Sequence, residues 1–140
     1  MLTTAFTKAC RVGWAPLAVV GLHAVLAAVV GHRRELDPVF HVAGGAAGAF
    51  TVLKAIAFFP RELSSLALWN RGVVAFAAVA LTALLWECGE FVSDYVFGSS
   101  VQAGWWDTSM DLLLGAGGAL VGVLVSADRR RNAGGASRPA

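Results

Sequence analysis

Four apolar runs, at about residues 12–31, 38–59, 72–97 and 105–126, leave this chain few folds to choose from. Each is close to or above the roughly 20 residues needed to cross ~30 Å of hydrocarbon as a helix. Inside lipid every backbone N–H and C=O must find its partner within the protein, so a run of this length is a helix. The composition agrees: 57% of residues are hydrophobic and 14% charged, against about 25% charged in a soluble domain. Mean hydropathy is +0.67. The expected architecture is therefore all-α, a polytopic membrane protein with a four-transmembrane-helix bundle occupying 1–127 as one domain. The run at 14–30 is longer than the about 7 to 15 apolar residues of a signal peptide, which predicts a retained first span.

Local punctuation marks the span ends. Pro38 suits a first helical turn, where its missing N–H costs nothing, and Pro60 closes the second span. Between spans 2 and 3, Leu63, Leu66 and Trp69 recur among polar residues, a spacing that predicts a short interfacial helix within 61–71. Gly98-Ser99-Ser100 reads as the turn after span 3, and Trp105-Trp106 as an interfacial aromatic pair opening span 4. Gly44-x-x-x-Gly48 and Gly118-x-x-x-Gly122 predict close helix contacts. The Arg, Gly, Ser and Pro-rich tail 128–140 is expected to be disordered.

Charge sets the expected orientation. Lys8, Arg11, Arg61, Arg71, Arg129, Arg130, Arg131 and Arg138 fall on one side of a four-span topology, and only Arg33 and Arg34 on the other. By the positive-inside rule both termini are cytoplasmic. These basic residues flank spans and form no continuous surface, so nucleic acid is excluded as a partner. Membrane lipid and further copies of the chain are the expected partners.

That topology brings Asp37 and His41, then Glu87, Glu90 and Asp94, then Asp107 and Asp111 to the outer end of three different spans. Asp37 and His41 are spaced i, i+4, Glu87, Glu90 and Asp94 i, i+3, i+7, and Asp107 and Asp111 i, i+4, so each set lies on one helix face. Glu87 lies roughly 22 Å along the helix from Gly72, some 8 Å short of the far edge of a ~30 Å core. Asp111 lies at a similar depth. Charged groups there cost several kcal/mol unless paired, hydrated or neutralised. Few basic partners are at hand: Arg33, Arg34, His41 and His32. A bound divalent cation or held protons follow.

His41, Glu87, Glu90, Asp107 and Asp111 are the expected metal ligands, with Asp37, Asp94, Thr108, Arg33 and Arg34 at the rim. Oxygen ligands with little imidazole suit Mg²⁺, Ca²⁺ or Mn²⁺ better than zinc. The alternative is that the acids only hydrogen-bond span to span as polar glue. His23, in span 1, reads as a packed neutral imidazole. Cys10 and Cys88 form no metal motif, no serine has triad-like partners, and no phosphate-binding glycine loop is present.

The string Trp86-Glu87-x-x-Glu90, then Trp106-Asp107-Thr108-x-x-Asp111 and the glycine-rich stretch 115–122, resembles small bacterial inner-membrane proteins of the YjdF type, formerly a domain of unknown function. Asp37-x-x-x-His41-x-x-Gly44 is similar to a short signature of that group and of VanZ-like proteins. The resemblance implies an envelope setting, and, for VanZ-like proteins, an association with glycopeptide resistance; it implies no reaction. Three readings follow: a cation site that recognises or acts on lipid or lipid-linked envelope substrates, a small proton or cation transporter subunit, and a non-catalytic module with a structural acidic cluster.

Overall fold

A computed structural model of the chain describes residues 2–31, 35–58 and 65–135. Its helices are α1 (Leu2–Val30), α2 (Asp37–Phe58), α3 (Leu68–Phe97) and α4 (Trp105–Gly135). All four are long and apolar enough to cross a membrane. The expected spans therefore appear as helices in the expected order. Of the interfacial helix expected within 61–71, residues 61–64 lie outside the described residues, 65–67 are non-helical, and 68–71 are the first turn of α3, which begins at Leu68. Helix α4 runs on to Gly135, past the apolar stretch that ends near 126. Ala127 and the arginines that follow it are good helix formers, and they carry the turn onward beyond the apolar stretch.

Side-chain exposure is the inverse of a soluble protein's. Leu17, Val29, Phe97 and Leu113 are all well exposed, while the buried centre consists of Ala49, Val79 and Ala119 with Val52 and Val123 against it. Such outward apolar surface belongs in lipid. With lipid as solvent, helices associate through close backbone packing of small residues and not through burying large ones.

Helix α2 is the hub, packing against α1, α3 and most extensively α4. Its seam with α4 is built from glycine. A Cβ at Gly45 would collide with the carbonyl oxygen of Gly115, and one at Gly118 with the carbonyl oxygen of Val42. At Gly122 it would come within 2.8 Å of the Ala46 carbonyl oxygen. The pair Gly118 and Gly122 thus makes the close contact that its spacing predicts. On α2 the reading needs correcting: Gly45 meets α4, whereas Gly44 has nothing within 4 Å and Gly48 approaches the Val79 side chain of α3. Helix α1 is held to α2 by Thr51 Oγ1 donating to the Val12 carbonyl at 3.1 Å. Trp14 packs edge-on against Phe50, ring centroids 6.3 Å apart.

Candidate metal centre and acidic chamber

Helix α2 opens where the Leu36 carbonyl accepts from the N–H groups of Val39 and Phe40 at 3.1 and 3.2 Å. Pro38 sits in this first turn, where no N–H is required of it. Asp37 and His41, one turn apart, project along the same face, and His41 Nε2 lies 3.6 Å from Asp37 Oδ1. It is also 3.6 Å from Asp111 Oδ1 on α4. The glycine seam explains that meeting. Asp111 is one turn before Gly115 and two before Gly118, on the face of α4 that lies against α2, and the close approach of Gly118 to Val42 holds the two backbones together next to His41.

One donor atom each from Asp37, His41 and Asp111 lie within 4.8 Å of one another. Ligands around one ion at bonds of about 2.0 to 2.6 Å are separated by about 3 to 5 Å, so this triangle is of the right size for a metal. Asp111 is 5% exposed.

Glu87 is 3% exposed and lies on the buried stripe of α3. Its Oε2 is fully buried with no hydrogen-bond partner. An acceptor left in this state costs about 1–3 kcal/mol, more if charged. Its electrostatic neighbours are Glu90, Asp111 and His41, and Thr108 is its polar neighbour on α4. Thr108 Oγ1 in turn accepts from Gln102 Nε2 at 2.8 Å.

The remaining acids are directed elsewhere. Glu90 Oε1 accepts from Trp86 Nε1 at 2.7 Å. Asp107 Oδ2 accepts from the Ala103 N–H at 3.1 Å, as an acid in a first helical turn commonly does. Asp94 organises the loop between α3 and α4: it accepts from the N–H groups of Val101 and Gln102, each at 2.9 Å, and from the Ser99 hydroxyl. At the same end Gly98 takes a left-handed φ of 64°, and its N–H bonds the Asp94 carbonyl. Asp94 is thus engaged by the loop that follows its own helix.

The structure therefore brings together Asp37, His41 and Asp111, with Glu87 nearby. Asp37 stands inside this group and not at its rim. Glu90 and Asp107 wall an adjoining chamber of about 600 Å³ that Asp37 also lines. Arg33 and Arg34 lie outside the described residues. One residue that the spacing argument set aside is His23, which stacks on Phe40 with centroids 4.6 Å apart and lines the same chamber. An ionisable residue in the middle of an apolar span was itself the signal. Cys10 and Cys88 are free thiols.

Neither the curated proteins nor the solved structures contain a match to this chain. A family model does match, over residues 2–132, almost the whole described length. Four membrane-length helices and that match lead to one conclusion: the chain belongs to the family described as predicted membrane protein (DUF2238).

Proposed function

We propose that this protein is a small integral membrane protein that binds a divalent cation through Asp37, His41 and Asp111, with Glu87 as an adjacent carboxylate. The carrying observation is the convergence of those three donor atoms, from two helices, within 4.8 Å. The buried, unpartnered Glu87 oxygen supports it, because a cation in the neighbouring group offsets a carboxylate that hydrogen bonds leave unsatisfied. Two or three carboxylates and one imidazole favour Mg²⁺, Ca²⁺ or Mn²⁺ over zinc.

The charge asymmetry of the sequence supports a site at the outer face of a bacterial cytoplasmic membrane, with cytoplasmic termini. The likeness to YjdF-type and VanZ-like proteins supports an envelope role, in which the ion orients a phosphate of a lipid or lipid-linked substrate. Elemental analysis of the full chain purified in detergent tests the cation site directly. Wild-type protein retains divalent metal, while Asp111→Asn and Glu87→Gln lose most of it; equal metal in all three, or none in any, rejects the proposal. Occupancy also falls as pH is lowered, because bound His41 must be neutral and the acids ionised. The measurement is metal content across pH 5 to 8.

A further inference from the structure

Pro16 stands inside α1. It has no N–H to donate, so the carbonyl four residues earlier, that of Val12, loses its place in the helical ladder. Thr51 of α2 supplies the missing donor: its Oγ1 donates to the Val12 carbonyl at 3.1 Å. Two residues on, Trp14 sits edge-on against Phe50. The inner half of α1 is thus fixed to α2 within about one turn of a proline, the residue at which helices most often bend.

Beyond the proline the hold changes in kind. Helices in lipid adhere through close approach of their backbones, and the seam between α2 and α4 does so at Gly45 and Gly118. On α1, a Cβ at Gly21 would meet nothing within 4 Å, and Leu17, Leu22, Val25 and Val29 are exposed. Just 6% of the hydrophobic stretch of α1 is buried, against 17% to 22% of the other three. Its substantial contact is with α2 alone. In the outer half that contact includes a ring pair, His23 stacked on Phe40 with planes 19° apart.

Behind this half of the helix lies a slot of about 360 Å³. Pro16, Val19 and His23 form one wall, Val79, Ala83 and Trp86 of α3 the opposite one, and Asp37 and His41 line it from α2. From Pro16 to Val30 the helix extends about 21 Å, so a bend of about 20° at the proline carries its outer end about 7 Å. We propose that residues 17–30 form an arm hinged at Pro16, docked on α2 when His23 stacks on Phe40 and swung clear of α2 and α3 when it does not. The slot then alternates between a narrow form and one open sideways to the bilayer at the level of Asp37 and His41. Thr51 keeps the pivot in place, because the carbonyl it binds has no competing N–H within α1. The arm is a property of α1 and α2, and it does not depend on an ion at Asp111.

Double electron–electron resonance of the full chain in nanodiscs tests the hinge. In a Cys10→Ser, Cys88→Ser background, nitroxides are attached at Val29→Cys and Phe91→Cys, exposed positions towards the outer ends of α1 and α3. Two distances separated by about 7 Å are expected. Pro16→Ala restores the N–H to the Val12 carbonyl and leaves the shorter distance alone. His23→Ala moves population to the longer distance, whereas His23→Phe, which keeps a ring against Phe40, holds the wild-type proportions. A second pair, Val39→Cys with Leu113→Cys, reports across the seam of α2 and α4 and gives one narrow distance in every variant, which separates motion of the arm from loss of the bundle. A single narrow distance between positions 29 and 91 in the wild type, two distances that persist in Pro16→Ala, or proportions unchanged by His23→Ala overturns the proposal.

Discussion

Asp111 is the residue on which the proposed metal centre depends most, since it alone brings α4 into a group otherwise made by α2. Asp111→Asn keeps the shape and removes the charge, and the expected result is at least a tenfold loss of divalent affinity, read by titration. Asp94→Asn separates site from scaffold. It weakens the loop bonds to Val101 and Gln102, so the melting midpoint falls and amide exchange rises at those two residues, while metal content is unchanged. Loss of metal in that variant would mean that Asp94 belongs to the site. The one-turn spacing of Asp37 and His41 made their shared face readable in the sequence, as did the depth of Asp111. What spacing could not reveal is the rotamer of each acid. Glu90 turns to its own helix's Trp86 and Asp107 back to Ala103, choices set by local donors that no periodicity encodes.

At the scale of elements, the glycine seam between α2 and α4 positions the site. A methyl at Gly118 has no flexible neighbour to displace, only the Val42 backbone. Gly118→Ala is therefore expected to destabilise the bundle by about 1–3 kcal/mol or more, as overpacking does. Unfolding in a detergent titration measures this, and a wild-type midpoint would show that the helices can part without cost. The variant also moves Asp111 away from His41, so metal is lost with it. Hydropathy located all four helices because lipid leaves the backbone no alternative. It could not tell Gly44 from Gly45, since neighbours on a helix differ by about 100° in direction and only the partner decides which one faces the seam. Helix α4 runs past its apolar stretch to Gly135, because loss of hydropathy marks where a helix leaves the membrane, not where it stops being a helix.

For the whole molecule, the up-and-down path of α2, α3 and α4 gathers the acids at one end, and the basic residues of the sequence predict that this end faces outward. Ser100→Cys in the loop between α3 and α4 is expected to react with a membrane-impermeant maleimide on intact cells, and Cys10 only after permeabilisation; the opposite pattern would invert the protein. A cation that binds only the folded bundle also stabilises it, by about 2.7 kcal/mol at a hundred times its dissociation constant. The central claim is that Asp37, His41 and Asp111 form a single ion site, and titration of Mn²⁺ into the full chain in nanodiscs, followed by electron paramagnetic resonance, tests it most directly. The account predicts about one bound Mn²⁺ per chain in the wild type, displaced by Mg²⁺ or Ca²⁺ and absent from Asp111→Asn. Binding no greater than that of empty nanodiscs, or equal binding in the variant, would contradict it.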